Sequence, residues 1–327
     1  KDYKKISLFF FIGMSITIIL SLILRYLFSV EVTYAMLLSL TVGFAVIACL
    51  EFALIKSYFR QNSGKYREVF RYFKKYWKLI LTNFLYILGL YTHNFVFWST
   101  DMRMVVVDSF VCMQPYDMAS FIAMFTNISA SVLFISRVEM HFHERYRAYS
   151  EAVIGGRGMD IQNAKSRMFR QLAEELMNLV RIQFIVSVII FFLCITLLPY
   201  FGFGGLVMKI YPCLAVGYFI LFTMYSAIIF QYYYSDLTGA LMTSISFWLG
   251  TLCGSLVAIH LPPIWYGIGL VIGALIGWSV AYFRLRFIES SVDTHIFCNG
   301  SIMKKGHGKK PSNVIYSRYT MTTEQKR

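Results

Sequence analysis

Long apolar runs separated by short polar breaks set the rhythm of this chain. A helix needs about 20 apolar residues to cross a bilayer, and such runs occupy roughly 6–28, 33–55, 79–99, 118–138, 182–202, 211–232, 237–260 and 264–283. In hydrocarbon, backbone groups must be satisfied within their own segment, so each run is predicted to be a helix. The pattern predicts an all-α polytopic membrane protein with eight transmembrane helices. The rhythm changes twice. Between 56 and 78, Phe59, Tyr66, Phe70, Phe73 and Trp77 recur at helical spacing among cations, the pattern of a helix lying in an anionic membrane interface. Between 139 and 181, Gly155-Gly156-Arg157-Gly158 predicts a turn and Asp160 an N-cap. A helix then runs through about Met177, with an apolar stripe of Ala164, Met168, Leu172, Leu176 and Val180.

Composition agrees. A mean hydropathy of +0.59, 57% hydrophobic residues and 15% charged residues exclude an ordinary soluble domain. The net charge of +14 adds orientation, because the cations are not spread evenly. Of 31 Lys and Arg, all but Arg25, Arg103 and Lys209 fall on one side of the eight-span topology. They cluster at the start, in 56–78, in 137–181 and after Phe283. Loops rich in Lys and Arg face the cytosol, which puts both termini of this chain there, as an even number of spans requires. The protein is therefore expected to be multi-pass in the plasma membrane. Trp98, Tyr200, Trp265 and Tyr266 mark one interface, and Tyr76, Trp77 and Tyr232–Tyr234 the other. Basic residues interleaved with aromatics also suit nucleic acid. The flanking spans favour anionic lipids as the partner of 56–78, and no nucleic acid is expected. The chain begins at Lys1 rather than Met and shows no cleavable leader, so preceding residues are expected. Its six cysteines show no Cys-x-x-Cys spacing, and no disulfide framework is expected.

Candidate chemistry is sparse. Glu51 is the lone carboxylate within an apolar run, and Arg25 sits near the end of the first. Ionisable residues inside membranes mark function by default, which makes both candidates for energy coupling. The third run is the most polar. Asn83, Tyr86, Leu90, His93, Asn94 and Phe97 recur every three or four residues and share one helical face. Amides that bond hydroxyls and rings that stack on sugar faces suit a carbohydrate path. The same residues also serve interhelical hydrogen bonding, and His93 is able to carry a proton. Asn127, Ser129 and Ser131 extend the polar set, as do Thr243, Ser244, Ser246, Thr251 and Ser255. Gly250 with Gly254, and Gly269 with Gly273, have small-x-x-x-small spacing. His141-Phe142-His143-Glu144 puts its histidines on different faces, so no metal site is expected. No nucleophile triad, P-loop, Rossmann fingerprint or acidic glycosyltransferase motif is present, so neither an enzyme nor a cofactor is expected.

The strings Pro115-Tyr116-Asp117-Met118-Ala119-Ser120-Phe121, Ser136-Arg137-Val138-Glu139-Met140-His141-Phe142 and Tyr146-Arg147-Ala148-Tyr149, with the Asn83–Trp98 run, resemble the PelG family. Its members are membrane transporters of the Pel exopolysaccharide system, within the multidrug/oligosaccharidyl-lipid/polysaccharide exporter superfamily. The resemblance implies twelve helices in two lobes around a central cleft. This chain would then be the C-terminal two-thirds, with about four helices preceding it. It implies that 1–55 holds the last two helices of the N-terminal lobe and that 56–78 is an amphipathic interlobe linker. It further implies a six-helix C-terminal lobe at 79–283, carrying the cytosolic segment 139–181, and a basic cytosolic tail at 284–327. The third run would line the cleft.

The expected function is export of an N-acetylgalactosamine-rich exopolysaccharide as part of a synthase–transporter complex. A cytosolic glycosyltransferase and companion membrane proteins would be its partners, with Arg167 and Arg170 as docking residues and Asn83, Tyr86, His93, Asn94, Phe97 and Asn127 along the substrate path. Two other readings stay open: an antiporter or flippase of the same fold for small molecules or lipid-linked sugars, and a membrane scaffold for a glycosyltransferase that does not transport. The charge count generates a topology test. Externally applied thiol reagent is expected to label an Asp108→Cys chain and not a Gly306→Cys chain; the opposite result excludes this orientation.

Overall fold

A computed structural model describes residues 3–59, 64, 66–107, 110–127 and 140–293. Among these residues are ten α-helices and one short β-hairpin. The chain divides into two compact units, Lys1–Tyr72 and Phe73–Arg327.

In the first unit, α1 (Tyr3–Tyr26) and α2 (Val32–Tyr58) form a helical hairpin. The buried face of α2 is Ala35, Ser39, Gly43 and Ile47, spaced every four residues. A Cβ on Gly43 would stand 2.9 Å from the Gly13 carbonyl oxygen, so the two backbones meet there. Lipid tails are as apolar as leucine, so close backbone approach drives such contacts. The other faces of both helices expose Leu8, Phe11, Ile18, Leu37 and Phe44. Helix α3 (Tyr66–Lys75) buries no residue: its Phe70 and Phe73 are exposed on one amphipathic turn after another.

The boundary between the units falls within α3, and the first long helix of the second unit is α4 (Trp77–Trp98). The hairpin β1 (Met104–Val107) and β2 (Phe110–Cys112) follows, antiparallel, with Met104 opposite Cys112. Then come α5 (Gln114–Asn127), α6 (Met140–Gly155), α7 (Gly158–Leu197), α8 (Leu206–Tyr233), α9 (Leu237–Ala258) and α10 (Ile268–Asp293). Seven described helices are long and apolar enough to cross a membrane: α1, α2, α4 and α7 to α10. Of the run expected at 118–138, α5 covers the first part, and the remainder, with Ser129 and Ser131, lies outside the described residues.

Three boundaries differ from expectation. The helix expected to stop near Met177 and the span expected from 182 are one element, the 40-residue α7. No Gly or Pro interrupts 177–182, and Leu179 and Gln183 are buried on the same side. At about 1.5 Å per residue α7 is roughly 60 Å long, twice the hydrocarbon thickness, so one end projects beyond the bilayer. Asp160 lies three residues inside this helix, and Arg157 is the N-cap. The Asp160 carboxylate accepts the Arg157 backbone N–H at 3.0 Å, which satisfies one orphan donor. Finally, α10 runs to Asp293 rather than ending at 283, because Ile288 joins a core and Arg284 has a buried partner.

That partner is Asp236. Arg284 grips its carboxylate through Nε at 2.6 Å and Nη2 at 3.0 Å. Asp236 also accepts the Gly239 N–H at 3.1 Å, capping α9. Two cores result. One lies among α4, α5, α8, α9 and α10. The other joins Phe142 and Tyr149 of α6 and Met168, Leu172 and Leu179 of α7 to Phe230, Tyr234 and Ile288 at the ends of α8 and α10. Phe142 meets Phe230 edge-on at 4.8 Å. The segment 139–181 thus closes one end of the bundle.

The tightest contact is between α9 and α10. A Cβ on Gly250 would stand 3.0 Å from the Gly273 Cα, and one on Gly254 2.9 Å from the Gly269 Cα. Thr251 and Ser255 lie over Gly273 and Gly269, so side chain and backbone interlock. Gly273→Leu is therefore expected to destabilise the unit by about 1–3 kcal/mol or more, read as lower folded yield and thermal midpoint in size-exclusion assays. Gly204→Ala, whose added Cβ meets nothing within 4 Å, is the control expected to match the parent.

Candidate substrate-path residues and the polar seam of the second unit

The residues expected along a substrate path are brought together, but chiefly inside protein. Tyr86, His93, Asn94 and Phe97 share the α4 face turned toward the rest of the unit, because they recur at three- and four-residue steps. All four are buried, His93 and Phe97 completely. Tyr86 stacks on Tyr225 of α8 at 4.6 Å and lies against Phe247 of α9. Phe97 stacks on Tyr116 at 4.2 Å and packs on Tyr266 at 4.9 Å. Asn83, one turn before Tyr86, is exposed. Its amide donates to the Leu79 carbonyl at 3.1 Å, and its oxygen accepts from the Tyr232 hydroxyl at 3.4 Å. The sequence left open a substrate path or interhelical hydrogen bonding for these residues; within this unit five of the six, Asn127 included, are buried.

A seam whose centre is α5 takes up part of their polar surface; His93 Nε2 and Asn94 Oδ1 stay buried without a hydrogen-bond partner. Tyr116 hydrogen-bonds His93 Nδ1 at 2.9 Å. One turn on, the Ser120 and Tyr218 hydroxyls pair at 2.8 Å. Thr126 pairs with Tyr211 at 3.0 Å. Asn127 donates to the Ala215 carbonyl at 3.1 Å and accepts from Ser187 at 2.7 Å. Gln183 donates to Ser187 in turn at 2.8 Å. Tyr116, Ser120, Thr126 and Asn127 of α5 thus spend polar groups on α4, α7 or α8. Such interhelical bonds contribute about 0.6 kcal/mol each in membranes. Leaving any partner alone in the interior costs more, so the seam also specifies register.

At the hairpin end, one carboxylate gathers three donors. Asp117 accepts from Asn94 Nδ2 at 2.7 Å, Trp98 Nε1 at 2.9 Å and the Met113 N–H at 3.1 Å. It sits in the first turn of α5, where the helix dipole favours an anion. Sequence reasoning missed Asp117, Tyr116, Ser120, Gln183 and Ser187 as site residues. A signal existed: Tyr116, Ser120, Ala123 and Asn127 follow the same three-and-four spacing that singled out the α4 face.

The other candidates lie elsewhere. Glu51 is half-buried on α2, while the neighbouring Lys56 ammonium lies over the Phe52 ring at 5.9 Å. Arg25 is exposed at the end of α1 and donates to the Val30 carbonyl at 3.4 Å, fastening the α1–α2 loop. Arg167 and Arg170 are exposed on the projecting part of α7. Arg170 pairs with Glu174 at 2.9 Å, and Arg145 of α6 lines the same small cleft. The side chains of His141 and His143 lie outside the described residues.

Comparison with known families finds a match over most of the chain. The model of the PelG family, described as "Putative exopolysaccharide Exporter (EPS-E)", matches residues 1–297. No curated protein and no solved structure matches the chain.

Proposed function

The chain belongs to the PelG family of exopolysaccharide exporters, and on that premise we propose that it moves a Pel-like, N-acetylgalactosamine-rich polymer across the plasma membrane within a synthase–transporter complex. The observation that carries this reading is the extent of the family match, which covers residues 1–297 and with them every described helix. A chain of hydrated sugars does not cross about 30 Å of hydrocarbon unaided. It needs weak, repeated contacts, because tight binding stalls conduction. In this proposal Asn83, exposed on α4, meets the polymer directly. Tyr86, His93, Asn94, Phe97 and Asn127 act behind it, holding the wall in shape through the seam. Glu51 and Arg25 are proposed to take part in coupling. Both termini are proposed to be cytosolic, which makes the α6 side the side of synthesis.

The experiment compares secreted polymer per folded transporter. Asn83→Leu is expected to lower that ratio severalfold while polymer accumulates inside the cell. Tyr116→Phe leaves the buried His93 Nδ1 without this partner, a cost of about 1–3 kcal/mol, and is expected to reduce folded protein while the ratio stays at the parent value. An Asn83→Leu ratio equal to the parent overturns the path assignment, and loss of all synthesis in a chain-deleted strain favours a scaffold over a transporter.

We further propose that the projecting block of α6 and α7 docks the cytosolic glycosyltransferase and companion proteins. The support is its rigidity, with Tyr149 and Met168 fully buried beneath exposed Arg145, Arg167 and Arg170. Electrostatic complementarity sets specificity more than affinity at such surfaces. Reversing Arg167 and Arg170 to Glu together is expected to release the transferase into the soluble fraction. Undiminished co-purification of the transferase rules this surface out.

A further inference from the structure

A groove opens between the first half of α7, the second half of α8 and the last turns of α10. Its walls are Phe169, Leu176 and Val180 of α7 and Trp278 and Tyr282 of α10, with Ala227 of α8 on the floor. The volume is about 270 Å³. The groove exists because the residues that would fill it are small: Ala173, Thr223 and Ala227. Toward the α6 side it continues into a polar cavity of about 620 Å³ lined by Gln162, Lys165, Ser166 and Arg170. The two share Phe169, Ala173 and Glu289 as common wall. An apolar slot that passes into a basic vestibule over about one side-chain's width is the shape of an amphiphile.

The rim fits an interfacial position. Trp278 stacks on Tyr282 at 5.9 Å, and the Arg286 guanidinium lies over the Tyr282 ring at 5.8 Å. Arg286 also pairs with Glu289 at 2.9 Å. Aromatic rings followed by cations along a helix mark the headgroup level. Lys165 and Arg170 line the vestibule and Arg286 the groove, with Glu289 on the common wall; Arg286 pairs with Glu289, and Arg170 with Glu174 beside it. Exposed ion pairs of this kind contribute at most about 1 kcal/mol, so a phosphate, which accepts stronger charge-assisted bonds, displaces them readily.

We propose that this groove and vestibule bind one anionic glycerophospholipid from the leaflet bordering α6, its acyl chain between Phe169, Ala227 and Trp278 and its phosphate on Lys165 and Arg170. The site is independent of the substrate path. It would hold the projecting block of α7 against α10 and tie its stability to membrane composition.

The test uses the full chain reconstituted in phosphatidylglycerol or phosphatidylcholine nanodiscs, then delipidated and weighed by native mass spectrometry. The parent is expected to retain one phosphatidylglycerol and to lose phosphatidylcholine. Ala173→Phe fills the shared wall from an exposed position, so folding is preserved, and is expected to lower retention roughly tenfold. Lys165→Glu, which leaves the apolar slot intact, is expected to remove the preference for phosphatidylglycerol. Equal retention in the parent and Ala173→Phe overturns the proposal. So does equal retention of both lipids by the parent, or retention of none, the result if residues beyond 293 fill the groove themselves.

Discussion

Everything in the second unit is arranged around the backbone-to-backbone contact of α9 with α10. In water, apolar faces would drive helices together; in lipid that drive is absent and close fit must replace it. Gly250 and Gly254 meet Gly273 and Gly269 almost at van der Waals contact of their backbones. The same helix, α10, presents Gly277 to Met224 of α8 and Phe247 of α9, and Gly267 just before it meets the Leu214 backbone of α8. Phe247 in turn presses on Gly89 of α4, where a Cβ would stand 2.6 Å from its ring. The position of α4, and with it the face carrying Tyr86 and His93, is thus set at third hand by glycines on α10.

Polar residues finish what the glycines begin. Close packing alone permits sliding, since small residues look alike from one turn to the next. The α5 seam forbids it: Tyr116, Ser120, Thr126 and Asn127 each meet specific partners at one height on the neighbouring helices. A shift by a turn would strand buried hydroxyls, which costs more than any single bond gains. The pair of buried Asp236 with half-buried Arg284 performs the same service at the other end, joining the α9 cap to the last turns of α10. Removing one member of such a pair leaves a charge uncompensated, the costly case for buried ions.

For an exporter of this family, the arrangement separates duties. The glycine slab and the polar seam make a body that keeps its shape. The continuous α7 carries that rigidity out of the bilayer, where the Phe142–Phe230 cluster caps the bundle. Exposed cations then sit on an ordered platform rather than on a loop, which is what precise docking of a partner, or of a lipid headgroup, requires.

The sequence by itself determined the membrane character, the helices and the existence of a polar face on α4, because each is local. Run length decides whether a segment spans, and spacing decides which residues share a side. It also exposed the small-residue pairs at 250/254 and 269/273, though not that they meet each other. Tertiary structure decided the rest. Spacing says that His93 and Asn94 face one way but not whether water or Tyr116 and Asp117 lie opposite. The apolar pattern ends one helix near Met177 and begins a span at 182, yet the burial of Leu179 and Gln183 on one side makes α7 continuous. Asp236 and Arg284 stand 48 residues apart, and neither residue carries a local mark of the other. What a face touches is a property of two segments at once, and no pattern along one of them contains it.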